Sequence, residues 1–303
     1  MQYLPKFQPP NKAQRLQAIG YINNLPKNST MYKLLSTAEN FHNPIPIPNE
    51  NDWLSSHNES GQTFNQFING NYNKITPQRK TIYINPLQNM DPNFLNCLLY
   101  FCKAFFFPLN VELIKIQSLN SLKISSRIND YSNKIQYNAG EILQKMKYYI
   151  PKNAYTLICI LFDDLYPKPE LNFVYGLANT FDRIGVFSFA RYDPTFYGEP
   201  APKNLSEIIL FRSVRVMVHE ICHMFGMSHC IFYHCIMNGS NHDEEALKRP
   251  VILCPVCIRK LQSVIGFDPI QRYQELEKIS GQFGGIFSGD YYWYKKRIES
   301  LLS

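Results

Sequence analysis

Within VHEICHMFGMSHC, Val218 to Cys230, three histidines, a glutamate, a glycine and two cysteines crowd together. His219 and His223 stand four residues apart, which on a helix places both imidazoles on one face. Two such nitrogens can reach one Zn²⁺ at about 2.0–2.1 Å. Glu220 follows the first histidine but is offset around the helix. A carboxylate there can take a proton from a water at the metal without binding the metal itself. Gly226 falls three residues after His223, where a helix must end and glycine adopts positive φ at little cost. The turn brings back His229 as a third ligand. Three protein ligands leave one position open, which marks a catalytic and not a structural zinc. An amphipathic helix with satisfied polar groups would account for His219 and His223, but not for the glycine and the third histidine.

A second cluster begins at the next residue. Cys230 and Cys235 form a C-x4-C pair, and Cys254 and Cys257 a C-x2-C pair. Together they can close a tetrahedral Cys₄ site with no open position, so a zinc held there is structural. Reduced buried thiols, a single disulfide or a redox CxxC are the competing readings. Zinc accounts for both spacings at once. His234 and His242 lie nearby as lesser candidates. The remaining cysteines, Cys97, Cys102, Cys159 and Cys222, lie in apolar contexts and read as small buried hydrophobes.

These residues need a scaffold. TIYINPL (Thr81 to Leu87), NVELIKIQ (Asn110 to Gln117), TLICILF (Thr156 to Phe162), Leu171 to Ala178 and Ile184 to Ala190 read as strands. The continuous apolar run of the third fits a central buried strand. Asp91-Pro92 is an N-cap and N1 pair for a helix to about Ala104, and Asn138 to Tyr149 is helical in pattern. Leu205 to Phe225 reads as one long helix carrying the histidine motif and ending at Gly226. Alternating strands and helices predict an α/β (α+β) fold with a mixed twisted sheet. The chain then reads as loop until helices at Pro255 to Ile265, Pro269 to Ile279 and Tyr291 to Leu302. Residues 1–78, rich in Asn, Pro and Gln, read as a partly helical N-terminal extension. A catalytic domain would follow over 79–303, divided at 226/227 into an upper subdomain and a zinc-stapled lower one.

The chain has 303 residues, enough for a sizeable core. Its net charge of +7 is modest for that length, and no Lys/Arg-rich recognition helix is visible, so no nucleic-acid partner is expected. No signal peptide or membrane-spanning run is evident. The expected setting is cytoplasmic or nuclear, where clustered cysteines favour metal over disulfides.

The complete HExxHxxGxxH is the metzincin motif, in which a later methionine packs beneath the ligands; Met237 in CIMNGS fits it, with Asn238-Gly239 supplying a tight turn. HExxHxxGxxHC-x4-C-x-M followed by CxxC resembles the archaemetzincins in their eukaryotic form. So do DDLYP (Asp163 to Pro167), NFVYGLA (Asn172 to Ala178), GVFSFARY (Gly185 to Tyr192) and CPVCIRKLQ, and more weakly DWL and GQTF nearer the N-terminus. One departure stands at Ile160-Leu161-Phe162, where family members carry Gly-x-Thr. The resemblance implies a metzincin-type zinc metallopeptidase with a catalytic and a structural zinc, two per chain. It implies an edge strand that takes peptide or protein substrate by β-augmentation, assigned to Leu171, Asn172, Phe173, Val174, Tyr175 and Gly176. Glu220 would be the general base. A catalytically weak scaffold, or a subunit of a larger assembly, is the alternative on the same fold.

Overall fold

The computed structural model describes residues 7–303. Helices α1 (Lys12–Ile19), α2 (Thr30–Ser36), α3 (Trp53–Ser56) and α4 (Phe64–Ile68) come first. Then follow β1 (Thr81–Pro86), α5 (Pro92–Phe105), β2 (Asn110–Leu113), α6 (Leu119–Leu122), β3 (Ser126–Ile128), β4 (Ile135–Asn138) and α7 (Ala139–Met146). The middle of the chain continues through β5 (Ala154–Leu161), β6 (Asp164–Tyr166), β7 (Gly176–Asn179), β8 (Ile184–Ser188) and α8 (Leu205–Met224). Helices α9 (Asp243–Lys248), α10 (Pro255–Ile265), α11 (Pro269–Phe283) and α12 (Ser288–Leu302) complete it. Among the described residues no helix is long and apolar enough to cross a membrane.

The fold is mixed α/β and divides into two units. One is Tyr72–Met224; the other joins the chain up to Asn71 with Phe225–Ser303. The segment expected as an N-terminal extension is thus built together with the C-terminal helices.

Tyr72–Met224 holds a five-stranded sheet in the order β2-β1-β5-β8-β7. The first four strands are parallel and β7 is antiparallel to β8 at the edge. All eight residues of β5 are buried, as its unbroken apolar run requires of a strand flanked on both sides. Asp91 caps α5 through its side chain with Pro92 at N1, and α5 packs on α8. At Ile160-Leu161-Phe162, Ile160 and Leu161 are buried and Phe162 joins Phe94 and Phe189 in a ring cluster. These side chains are accommodated as apolar packing.

Three features depart from the expected elements. A second sheet, β3-β4-β6, lies in stretches too short and polar to signal strands. The edge strand also starts at Gly176, not Leu171. Leu171 and Asn172 have other partners: the Arg127 guanidinium donates to the carbonyls of Pro169, Leu171 and Asn172, and Gln136 also donates to Asn172. Further along, Val174 N donates to Leu165 O of β6, and only at Tyr175, whose carbonyl accepts from Ser188 N, does the chain reach β8. Of the six residues assigned to the edge strand, only Gly176 lies in it. Helix α9 was likewise expected as loop.

A buried ion pair braces the junction of the two sheets. Arg191 donates Nε to Asp164 Oδ1 at 2.9 Å and Nη2 to Oδ2 at 2.7 Å, and Gln136 donates to Oδ2 at 2.8 Å. Arg191 also lies over the Phe173 ring at 3.5 Å. Asp164→Ala strands a buried guanidinium, which costs about 3–5 kcal/mol. Urea denaturation should read that loss in the unfolding of this unit, and a change under about 1 kcal/mol would contradict the bracing role.

In the other unit, buried arginines tie the N-terminal helices to the C-terminal ones. Arg259 on α10 donates to the carbonyls of Ile19 and Tyr21. Arg297 on α12 donates to Leu34 O and Thr37 Oγ1 and stacks over Phe41. Arg15 on α1 pairs with Glu39, which also accepts from Tyr233. The guanidinium groups of Arg259 and Arg297 satisfy carbonyls in the last turns of α1 and α2 that would otherwise be orphaned.

Candidate metal centres

The first two motif histidines sit in the last turns of α8. Their Nε2 atoms face each other at 3.0 Å, with the rings edge-on at 83°. Two ligands on one tetrahedral zinc have nitrogens roughly 3.3 Å apart, so this pair is set close to the spacing that a shared cation needs. From Ser213 to Met224 every residue is buried except Glu220 and His223, which are half-buried. Glu220 therefore reaches the margin of a stretch that is otherwise buried, where a carboxylate stays in contact with solvent. The last carbonyl of α8, that of Met224, accepts from Tyr155 at 3.0 Å, fixing the end of the helix. The chain leaves through Gly226 at φ +83°, the left-handed turn the motif requires.

Beyond that turn the loop from Gly226 to Asn238 is held almost atom by atom. Gln62 donates to Gly226 O at 3.0 Å and accepts from Ser228 N at 3.2 Å. His229 Nδ1 lies 2.7 Å from Glu59 Oε1, which also accepts from Trp53 Nε1 at 2.5 Å. Burial works to raise the Glu59 carboxyl. The bond and charge of His229, the bond from Trp53 and the nearby His57 outweigh it and hold the carboxyl below its usual range. An ionised carboxylate accepts only, so the hydrogen between the two is donated by His229 Nδ1. Met237 is fully buried, and its carbonyl accepts from Cys230 N at 2.7 Å. Asn238 clamps the turn with its side chain, donating to Cys230 O and Tyr233 O and accepting from Cys235 N.

Cys230, Cys235, Cys254 and Cys257 present four buried sulfurs within 4.8 Å of one another, with neither His234 nor His242 in the group. Cys230 and Cys254 are 3.6 Å apart. That is far beyond a disulfide bond of about 2.05 Å and close to the roughly 3.8 Å between thiolates on one tetrahedral zinc. Burial opposes ionisation of Cys230, but donors from Cys235, Cys254 and Cys257 outweigh it and hold its thiol well below the usual range. Burial, then the bonds to Cys230 and Cys235, pushes Cys254 well above. Bonds to Cys230, Cys235 and Cys254, reinforced by burial, do the same to Cys257. Four thiolates this close ionise together only around a cation. Cys254 is the N-cap of α10 and Cys257 lies in its first turn, where the helix dipole favours negative charge. The donor set fits zinc.

Sequence reasoning named the histidines, Glu220, the cysteines, Met237 and the Asn-Gly turn. It gave Trp53 and Gln62 only within the family-like DWL and GQTF, without a role, and did not name Glu59, which carries no spacing signal because 170 positions separate it from His229.

Comparison with known proteins places these residues among relatives. The family model described as Peptidase family M54 matches residues 111–263. Archaemetzincin-2 of Pongo abelii is 35% identical over 275 residues, spanning 81% of this chain and 76% of that protein. Archaemetzincin-1 of Homo sapiens is 31% identical over 254 residues, spanning 74% of this chain and 51% of that protein. A crystal structure of archaemetzincin from Methanopyrus kandleri superposes with a TM-score of 0.49 at 22% identity, over 63% of this chain and 98% of that one.

Proposed function

The chain belongs to the archaemetzincins, peptidase family M54, and from that premise we propose that it hydrolyses peptide bonds at a zinc held by His219, His223 and His229. The observation that carries the reading is the facing Nε2 pair of His219 and His223, with the half-buried Glu220 beside it on the same helix. Gly226 and His229, whose Nδ1 faces the Glu59 carboxylate, follow along the chain. When bound, zinc supplies Lewis acidity that lowers the pKa of a water and polarises the scissile carbonyl. Glu220 accepts the proton that this water gives up and passes it to the amine that leaves as the C–N bond breaks.

The Cys₄ group would hold a second, structural zinc. Substrate would be a peptide or protein segment that pairs in extended form with the exposed side of β7, the edge of the five-stranded sheet. That role moves from Leu171–Gly176 to Gly176–Asn179, the residues that form the strand.

A peptide library incubated with the zinc-loaded chain should yield new termini that vanish when a chelator removes the catalytic metal. A fully zinc-loaded chain that cleaves nothing would sink the peptidase reading and leave a metzincin-fold scaffold.

A further inference from the structure

We propose that the N-terminal segment Trp53–Gln62 is a working part of the catalytic metal centre: Glu59 is a positioning residue that fixes the tautomer and ring orientation of His229 through its Nδ1. The inference rests on the reading of His229 as a zinc ligand and deepens it.

The geometry is specific. The carboxylate of Glu59 is 2.7 Å from His229 Nδ1. A metal-ligating histidine typically donates its other ring N–H to a carboxylate, which fixes the tautomer, orients the ring and raises its basicity. Glu59 is itself held. Trp53 Nε1 donates to the same oxygen, and the Trp53 indole stands edge-on to the His229 ring at 5.1 Å and 82°. His57 stacks on the Trp53 indole at 3.5 Å, nearly parallel to it. Glycine is required at 239 for this reason: a Cβ there would lie 2.5 Å from Trp53 Cδ1 and 2.6 Å from Nε1. The turn that carries Met237 therefore seats Trp53, Trp53 seats Glu59, and Glu59 seats His229. Gln62, three residues on, binds Gly226 and Ser228, so the same segment also fixes the turn through which His229 returns. Lys260 in turn donates to Gln62 Oε1 at 3.0 Å.

A fold-stabilising carboxylate and a ligand-positioning one differ in what they control. The positioning role predicts selective weakening of one metal. Zinc release from full-length Glu59→Ala is followed by elemental analysis against graded chelator, together with thermal unfolding and the visible spectrum after cobalt substitution. Glu59→Ala should release one zinc at about 10–100-fold lower chelator concentration than the wild type, and hold the other as the wild type does. The cobalt ligand-field bands of the histidine site should change, while the thiolate-to-cobalt charge-transfer bands stay put. Glu59→Gln, which keeps shape and an acceptor but loses charge, should fall between, and Glu59→Asp should recover part of the loss. Release of both zinc ions in parallel, tracking a lowered melting temperature, overturns the positioning role. So does a folded Glu59→Ala that matches a two-zinc wild type throughout. A wild type holding only its thiolate-bound zinc instead overturns the parent reading of the histidine site, and this one with it.

Discussion

Glu220→Gln leaves zinc content unchanged and lowers peptide hydrolysis by about 10²–10⁴-fold, the range that one positioned general base contributes. The substitution preserves volume and hydrogen-bonding shape, so the helix around it has no reason to rearrange. Its neighbours Val218, Ile221 and Cys222 are buried, whereas Glu220 is half-buried, and the amide keeps one acceptor oxygen where the carboxylate had two. The histidines stay on their turns of α8, and the metal stays with them. Loss should therefore fall on kcat, with melting temperature and zinc stoichiometry matching the wild type. Peptide hydrolysis assays paired with elemental analysis separate the cases. Undiminished turnover in Glu220→Gln would remove the residue from the reaction. Lost turnover with lost zinc would make it a prop for the site instead of its base.

What the sequence made legible was what is local. The 3.6-residue period of a helix translates His219 and His223 into a facing pair, and the backbone preference of glycine translates Gly226 into a turn at φ +83°. Paired cysteines at short spacing leave few options but to approach one another, and they do. The unbroken apolar run of β5 gave a central strand because burial on both faces demands it. What escaped depends on partners far along the chain. Leu171 to Tyr175 have the composition of a strand, but Arg127 and Gln136 hold the carbonyls of Leu171 and Asn172 and Val174 N turns to Leu165 O, so the edge strand begins at Gly176. Asp164 and Arg191 lie in segments that reveal no pairing until two sheets are built. Glu59 carries no signal of its own in the sequence, and Trp53 stands out only as part of the weakly family-like DWL. Only the fold of the N-terminal segment with the C-terminal one brings them to His229.

Cys254→Ser should do more damage than any single change at the histidines. It replaces one thiolate by a hydroxyl that binds zinc poorly, and zinc should fall from about two per chain to about one. The consequence is structural because the four sulfurs come from two separate places: the loop that follows His229 and the first turn of α10. Without a cation they are four buried thiols crowded together, with Cys254 and Cys257 reluctant to ionise. With one, apparent binding energies at structural zinc sites of this kind are about 10–16 kcal/mol, as large as the whole net stability of an ordinary domain at about 5–15 kcal/mol. Loss of the site should unfold the unit formed by the two chain ends at 37 °C or below, seen as a collapsed thermal transition and as rapid hydrogen exchange in α10. Turnover should vanish too, although every catalytic residue is intact, because Cys230 is bonded to His229 and its amide anchors the carbonyl of Met237. Slack in the sulfur site becomes slack in the third histidine. That coupling distinguishes this variant from Glu220→Gln, which loses chemistry and keeps both metals. A Cys254→Ser chain with two zinc ions and an unchanged transition would mean that the sulfurs are packing and not ligands.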